Sequence, residues 1–337
     1  NGMAVDIRVV TFEQYPYALH HFTGSKEHNT AMRHIARSKG IKMNEYGMFQ
    51  GEKEILIPCK SEEEIFNALG MDYIPPELRE NYGEIEAALN GTLPELVKSE
   101  DIRGIFHIHT NYSDGRCTIE EMAEAAMSLG YSYIVISDHS QSAFYANGLT
   151  PEDIVRQHQE IDELNRKYEG RFRILKGIES DILPDGSLDY PDEILASFDI
   201  VIASIHSRFS MDRDAMTERI IKAIENPYTT ILGHPTGRLL LSREGYPIDM
   251  EAILDHAAKY GVCIEINSNP HRLDLDWRWC RKAKEKGTSL VISPDAHDIA
   301  GLYDVYYGLG IARKGWLTRD DIINCLNWNE VLAILSK

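Results

Sequence analysis

A short apolar run that turns polar at its end decides the fold: residues 105–114 read IFHIHTNYSD. The run places His107 and His109 two positions apart, and Asp114 follows in the next loop. Alternate residues of an extended strand point to the same side, so both imidazoles are expected to face one metal ion. The stretch therefore predicts a strand that ends in a metal site.

The same pattern recurs along the rest of the chain. Seven apolar runs, including this first one, cover residues 105–108, 133–136, 172–175, 200–205, 230–232, 262–266 and 290–292. Amphipathic helical patterns lie between them, at residues 119–129, 151–168, 213–225, 250–260 and 276–286. Seven β–α repeats predict an α/β fold with a parallel, barrel-like architecture rather than an open sheet.

Candidate metal ligands follow nearly every run. They are His107, His109, Asp114, His139, Glu179, His206, His234, Asp295 and His297. Loops after the strands form the catalytic face of a βα barrel, so these side chains are expected to meet on one rim. Imidazole mixed with carboxylate is typical of zinc, manganese or iron, and the set is large enough for two or three divalent transition metals. Glu179 is expected to bridge two of them.

A single histidine after a strand is more often a hydrogen-bonded rim residue than a ligand. Six histidines at the same topological position favour the metal site instead. The other seven are interpreted as structural or solvated, because they share no position: His20, His21, His28, His34, His158, His256 and His271.

Charge limits the classes of partner. The 337 residues carry a net charge of −18. Residues 1–100 contain 10 basic and 16 acidic side chains, and the remainder contains 25 and 37. Neither part offers a broad surface for tracking phosphates, so any contact with nucleic acid is expected to be local or metal-mediated.

The environment is predicted from cysteines and hydropathy. The five cysteines have no paired spacing and indicate reduced thiols in a cytoplasmic protein. No apolar run reaches the length of a membrane span, so no membrane partner is expected. The opening Asn1-Gly2-Met3 is interpreted as a cleavage scar or a truncation, since it is not a natural start.

The first hundred residues follow a different pattern. Ser61 and Glu64 form a capping box that predicts a short helix, and a further helix is predicted from Tyr82 to Leu89. Pro75-Pro76 breaks the chain between them.

From residue 101 onward the motifs resemble the PHP (polymerase and histidinol phosphatase) superfamily. The resemblance implies a distorted seven-stranded (βα) barrel that binds up to three metals. It implies one metal on His107, His109, Glu179 and Asp295, a second on Glu179, His206 and His234, and a third on Asp114, His139 and His297. One position departs from the family pattern: Ile105 occupies the place of an acidic residue, so a carboxylate partner of the ligands is expected to be missing.

The N-terminal part resembles the palm end and thumb of bacterial family X DNA polymerases, in which a C-terminal PHP domain follows the thumb. The resemblance rests on residues 6–8, 22–26 and 44–47, which read DIR, FTGSK and NEYG. It implies two domains, a small α+β palm-end and thumb module at 1–98 and a PHP domain at 99–337. Asp6 matches one polymerase carboxylate and the rest of the polymerase core has no counterpart, so this chain is expected not to polymerise.

The expected function is metal-dependent phosphoester hydrolysis on DNA, most simply as a 3′–5′ exonuclease in DNA repair. 3′-Phosphatase or abasic-site cleavage are further activities that the family implies, on single-stranded or gapped 3′ ends. Arg208 and Arg238 are predicted to neutralise the phosphoryl oxygens beside Glu179. Two alternatives stay open: a small-molecule phosphatase of the histidinol-phosphate type, and a non-catalytic domain that docks a polymerase.

Overall fold

The computed structural model describes residues 2–335. It separates into two compact units, Asn1–Glu95 and Leu96–Lys337, whereas the sequence placed the division at 98/99. Asn1, the first residue of the interpreted scar, lies outside the described residues. In residues 2–335 we find no helix with the length and apolar character needed to span a bilayer.

The N-terminal unit is a small α+β module. Helices α1 (Tyr15–Thr23) and α2 (Lys26–Ser38) precede an antiparallel sheet of β1 (Ile41–Asn44), β2 (Gly47–Gln50) and β3 (Ile55–Ile57). Helices α3 (Glu62–Ala68) and α4 (Glu84–Asn90) follow, with a 3-10 turn at Pro76–Leu78 between them. Residues 2–10 have no regular secondary structure, and Asp6 is exposed.

The two helices predicted for this unit are present. Ser61 begins α3 because its hydroxyl accepts a hydrogen bond from the Glu64 N–H at 3.4 Å. Helix α4 begins at Glu84, later than predicted, because the Glu84 carboxylate accepts the N–H groups of Asn81 and Tyr82 at 2.8 and 2.6 Å. The same buried carboxylate contacts His28 Nδ1 at 2.7 Å, so this turn is anchored to α2.

The second unit is the predicted seven-stranded barrel. Its strands are β4 (Gly104–Ile108), β5 (Tyr133–Ile136), β6 (Arg173–Asp181), β7 (Ile200–Ser204), β8 (Ile231–Leu232), β9 (Cys263–Asn267) and β10 (Leu290–Ser293). They lie side by side in chain order, and every neighbouring pair is parallel.

Helices cover the outside of this sheet. They are α5 (Ile119–Ser128), α6 (Pro151–Lys167), α7 (Asp192–Leu195), α8 (Arg213–Glu225), α9 (Met250–Tyr260), α10 (Trp277–Glu285), α11 (Val305–Lys314) and α12 (Trp328–Leu335). The five long helices predicted from periodicity are among them, within two residues at each end. Threonines with an acidic residue three positions later start α5 and α6, as in a capping box.

Backbone hydrogen bonds join the first and last strands. The N–H of His109 donates to the carbonyl of Ala296 at 2.9 Å, and the Ala296 N–H donates to the carbonyl of His107 at 3.1 Å. Below them, the buried Asn324 side chain donates to the carbonyls of Gly104 and Ile292 at 3.0 and 2.8 Å. The Asn324 amide oxygen also accepts the Ile292 N–H at 2.8 Å, so one side chain bridges β4 and β10.

Alternating apolar side chains give the barrel two cores. One core takes at least one side chain from each strand, including Phe106, Val135 and Val291, and so fills the interior. The alternate side chains, such as Ile105 and Ile134, pack beneath the helices. Val331 and Leu335 of α12 belong to the interior core. The carboxyl ends of the strands remain available for polar groups.

Candidate metal centre

Nine polar side chains meet where the barrel strands end, and we call them the rim cluster. They are His107 on β4, His109 and Asp114 after β4, His139 after β5, Glu179 on β6, His206 after β7, His234 after β8, and Asp295 and His297 after β10. All nine residues predicted as ligands are therefore brought together. Asp114 and His297 are partly exposed, His206 is half-buried, and the others are buried.

Glu179 lies at the centre of the rim cluster. Its carboxylate oxygens lie between 2.9 and 3.7 Å from a ring nitrogen of each of five histidines: His107, His109, His139, His206 and His234. A carboxylate reached by five imidazoles from four strand ends is suited to serve two ions at once.

The donor atoms form three overlapping groups. Within each group, one atom from every residue lies within 4.8 Å of the others: His109, Asp114, His139 and His297; His107, His109 and Asp295; His139, Glu179 and His206. These groups overlap with the three sets that the family pattern implied, but His109 and His139 are each shared between two groups, Glu179 belongs to one group and His234 to none.

Hydrogen bonding tests whether these residues fit metal ions. Six buried atoms of the rim cluster make no hydrogen bond of good geometry within residues 2–335, although two of them, His139 Nδ1 and Glu179 Oε2, lie 2.9 Å apart. The six are His107 Nε2, His109 Nδ1 and Nε2, His139 Nδ1, His234 Nδ1 and Glu179 Oε2. Buried polar atoms are rarely left unpaired, since each costs about 1–3 kcal/mol. Six of them converging in one place fit divalent metal ions.

A β-bulge brings His107 and His109 together. The pairing of β4 with β5 shifts register between Ile105 and Ile108, and His107 has a φ of 59°. The two imidazole rings still face the same region, with centroids 5.2 Å apart. The prediction that both histidines face one site agrees with this geometry, but simple strand alternation is not the reason. Left-handed backbone at a histidine costs energy and is typical of functional sites.

The expectation of a missing carboxylate partner is wrong. Glu265, buried on β9, accepts a hydrogen bond from His107 Nδ1 at 2.6 Å and one from the His234 N–H at 2.5 Å. Glu265, on a distant strand, is therefore the carboxylate partner of the ligands that an acidic residue at position 105 would otherwise be. The signal in the sequence is an acidic residue inside an apolar strand.

A second carboxylate orients His206. Its Nδ1 lies 2.6 Å from Asp181 Oδ1. The Ser142 hydroxyl donates to the other Asp181 oxygen at 2.9 Å, which fixes the carboxylate in turn. Histidines that bind metals commonly hold such a carboxylate on the nitrogen away from the ion.

Asp138 holds the loop after β4. This buried carboxylate accepts hydrogen bonds from the Thr110 N–H and hydroxyl at 2.7 Å each, from Gln157 at 2.7 Å and from Ser113 at 2.5 Å. Its oxygens are thus used for structure, next to the ligand His139.

Charge within the rim cluster is set by competing effects. Burial opposes a charged His206, but the carboxylates of Glu179 and Asp181 outweigh burial and raise its pKa to about 10. Burial, together with the neighbouring His139, lowers the pKa of His109 to about 3. Burial alone would raise the pKa of Glu179, yet the imidazoles around it hold that pKa well below its usual range. The central carboxylate is therefore ionised, the form that binds a cation.

The two predicted arginines differ in their surroundings. Arg208 is exposed in the loop after β7. Arg238 is used to hold a loop: its Nε donates to the Arg272 carbonyl at 2.9 Å, its Nη1 to Asp276 at 3.2 Å, and its Nη2 to the Leu273 carbonyl.

A third arginine, which sequence reasoning missed, lies beside the rim cluster. Arg272 Nε is 3.4 Å from Asp295 Oδ2, and its buried Nη1 has no hydrogen-bond partner in the described part of the chain. Arg272 also lines a cavity of about 400 Å³ with Leu239, Leu240, Ser242, Asn269, His271, Asp295 and His297. A guanidinium that lines a cavity and keeps an unused N–H donor is suited to bind an anion.

Two family models match the chain: a DNA polymerase beta thumb at residues 18–80 and a PHP domain at residues 106–269. Over 230 residues the chain is 34% identical to a protein named as a probable phosphatase from Thermoanaerobacter sp. (strain X514), covering 65% of this chain and 88% of that protein. The chain belongs to the PHP family of metal-dependent phosphoesterases.

The order along the chain, a thumb module followed by a PHP domain, resembles the C-terminal part of bacterial family X DNA polymerases, as the sequence motifs predicted. The chain is 46% identical over 334 residues to the DNA polymerase/3′-5′ exonuclease PolX of Bacillus subtilis (strain 168). That alignment covers 99% of this chain and 58% of the relative, so the chain spans less than two thirds of the relative's length.

The barrel fold also occurs in a solved phosphatase. The histidinol phosphate phosphatase of Lactococcus lactis subsp. lactis Il1403, crystallised with zinc, L-histidinol and phosphate, matches with a TM-score of 0.50 and 17% identity. The match covers 64% of this chain and 94% of that one. At this identity the likeness concerns the fold alone.

Proposed function

We propose that this chain hydrolyses phosphodiester bonds at the 3′ end of DNA, as a metal-dependent 3′–5′ exonuclease. The observation that carries the proposal is the set of unpartnered donor atoms around Glu179 at the carboxyl ends of the barrel strands. The identity to a polymerase/3′-5′ exonuclease, which extends across both units, favours DNA as the substrate.

Two or three divalent ions fit the donor set, with zinc, manganese or iron as candidates. Zinc is the metal in the solved phosphatase that shares the fold. We assign His107, His109, Glu179 and Asp295 to one ion, Glu179, His206 and His234 to a second, and Asp114, His139 and His297 to a third. When bound there, such ions activate water and neutralise charge on phosphoryl oxygens.

The chain's own carboxylates prepare these imidazoles. Glu265 accepts a hydrogen bond from His107 Nδ1, and Asp181 accepts one from His206 Nδ1. In both rings Nε2 is thereby left to face Glu179, 3.3 Å away in each case. Fixing the tautomer and the ring orientation in advance lowers the cost of binding an ion.

Phosphate contact is assigned first to Arg272, since this residue lines the cavity together with Asp295 and one of its N–H donors has no hydrogen-bond partner in the described residues. Arg208 is exposed and stays a candidate for a further phosphate. Arg238 is assigned to holding the loop of residues 272–276, because its N–H donors already face protein acceptors.

The substrate class proposed is a single-stranded or gapped 3′ end, as in the trimming of DNA ends during repair. With a net charge of −18, the chain is expected to contact few phosphates away from the rim cluster. Its affinity for DNA should therefore depend weakly on salt. Primer extension is not expected, because Asp6 is the single carboxylate of the polymerase set that the sequence matches.

A phosphomonoesterase is the second candidate. Its support is that the alignment with the probable phosphatase from Thermoanaerobacter covers 88% of that protein. The cavity of about 400 Å³ next to His297 is also large enough for a small phosphate ester.

One experiment separates these functions from a docking role. The chain, reconstituted with manganese or zinc and analysed for bound metal, is incubated with a 5′-labelled single-stranded oligonucleotide and, in parallel, with histidinol phosphate. A ladder of products shortened from the 3′ end supports the exonuclease. Rapid release of phosphate from the monoester with intact DNA favours the phosphatase, and no hydrolysis of either substrate with metals bound favours the docking domain.

A further inference from the structure

Two exposed aromatic side chains lie next to the rim cluster, in the loop between β5 and α6. Phe144 and Tyr145 are 83% and 70% exposed. The Tyr145 ring centroid lies 6.1 Å from that of His139 and 6.4 Å from that of His206. Large aromatic side chains exposed side by side at the edge of a functional site commonly mark a binding surface.

The loop that carries them is rigidly held. The Gly148 N–H donates to the Ala143 carbonyl at 3.1 Å, and Leu149 N–H donates to the His139 carbonyl at 2.8 Å. Ala143, Ala146 and Leu149 are fully buried on either side of the exposed pair. Gly148 is required for this path, because a Cβ there would lie 1.8 Å from the Ser140 carbonyl oxygen.

A second anchor joins the loop to the strand that carries Glu179. The Ser142 N–H donates to Asp189 Oδ2 at 2.6 Å, and the Ser142 hydroxyl donates to Asp181 at 2.9 Å. The loop therefore presents Phe144 and Tyr145 at a fixed place relative to the rim cluster. A rigid aromatic surface binds a flat ring with little loss of side-chain entropy.

The charge of the chain favours a nucleic-acid base as the partner. A protein that holds single-stranded DNA combines phosphate contacts with stacking of bases on aromatic side chains. With 35 basic against 53 acidic residues, phosphate contacts are scarce, so stacking has to supply more of the affinity. A nucleotide whose phosphate lies at the rim cluster carries its base one sugar away, within reach of Tyr145.

We infer that Phe144 and Tyr145 form a stacking platform for the 3′-terminal base of the DNA strand. This inference rests on the proposed exonuclease function and adds a determinant of substrate choice to it. Because every base has an aromatic face, the platform recognises the presence of a base and not its identity.

The test compares two labelled oligonucleotides, one with an ordinary 3′-terminal nucleotide and one with a tetrahydrofuran residue, which lacks the base. For the ordinary end, the double variant Phe144→Ala/Tyr145→Ala should raise KM about 5- to 150-fold, the range given by stacking of one base. The kcat should change little, and the KM for the base-free end should be the same in both proteins. Phe144→Tyr/Tyr145→Phe should retain the wild-type KM.

Tyr260→Ala is the control. It removes an aromatic ring at the end of α9, which precedes β9 and so lies at the opposite end of the strands. Equal KM values for the ordinary end in wild type and double alanine variant would overturn the inference, as would equal KM values for both ends in the wild type.

A binding measurement separates failure of the inference from failure of the proposed function. An oligonucleotide with 2-aminopurine as the 3′-terminal base is titrated with protein before metal is added, so that no hydrolysis is needed. Quenching of its fluorescence by the wild type but not by the double alanine variant supports the platform even if no DNA is cleaved. Cleavage without such quenching leaves the exonuclease standing and overturns the platform.

Discussion

Glu265→Gln tests whether the carboxylate on β9 prepares the metal centre. Glu265 uses one oxygen for His107 Nδ1 and the other for the His234 N–H, at 2.6 and 2.5 Å. Glutamine preserves the shape of the side chain but has a single acceptor oxygen. One of the two buried N–H groups must then lose its acceptor. His107 also loses the negative charge of the Glu265 carboxylate beside it.

The size of the effect follows from that count. A buried donor left unpaired costs about 1–3 kcal/mol, which corresponds to about 5- to 150-fold in an equilibrium constant. Removing the partner of a metal-binding histidine costs about 10- to 100-fold in metal affinity or activity. Both routes lead to an expected loss in zinc affinity of about one to two orders of magnitude.

Zinc affinity is measured by titrating metal-stripped protein in competition with a chromophoric chelator, and circular dichroism checks that the variant is folded. Glu218→Gln, an exposed position on α8, is the matched control and should bind zinc like the wild type. A folded Glu265→Gln protein that binds zinc within about twofold of the wild type would refute the reasoning, since an effect of this kind is at least tenfold.

Three further outcomes are expected. Glu179→Ala should abolish hydrolysis and lower the number of bound metals. His158→Ala, on α6 against Phe198, should leave both the hydrolysis rate and the number of bound metals unchanged. Equal activity in the two variants would show that the metal centre is misplaced. Asn324→Ala should lower the free energy of unfolding by about 3 kcal/mol, since three backbone groups lose a buried hydrogen-bond partner. An unchanged midpoint of unfolding in a urea titration would contradict this. The pKa of Glu84 is lowered below its ordinary value of 4.5 because hydrogen bonds from His28 and from backbone N–H groups outweigh burial, which alone would raise it. The ionised Glu84 carboxylate therefore stabilises the fold above pH 4.5, and this effect is lost as the pH falls through the lowered pKa. The difference in Tm between the wild type and Glu84→Gln should shrink in acid. A difference in Tm that is independent of pH would contradict this.

Local pattern was sufficient to predict the barrel and the meeting of the rim cluster. Strand runs and helical periods are short-range properties, and the carboxyl ends of parallel strands share one edge whatever the details of packing. Strand β6 shows where the pattern becomes insufficient. The apolar run ended at Leu175, but the strand continues to Asp181, because residues 177–181 pair with β7. The histidines around Glu179 and Asp181 bury these two carboxylates within the strand. Hydropathy alone predicts a loop where buried acidic residues of this kind lie in a strand.

Long-range pairing could not be predicted in the same way. Glu265 and His107 are 158 positions apart, and no spacing rule relates a strand-interior carboxylate to a particular imidazole. The arginines show a similar limit. Arg238 and Arg272 both follow barrel strands, and only the path of the loop directs one guanidinium to carbonyls and the other to the cavity.

The hydrogen bonds that join the ends of the sheet have a consequence for how the fold is completed. Ala296, which pairs with the backbone of His107 and His109, sits between Asp295 and His297. An ion held by His109 and Asp295 is consequently a cross-link between the first and last strands of the barrel. By mass action, such an ion stabilises the closed barrel in proportion to the logarithm of its concentration over its dissociation constant. Metal supply in the cell would then govern the lifetime of this protein as well as its turnover of substrate.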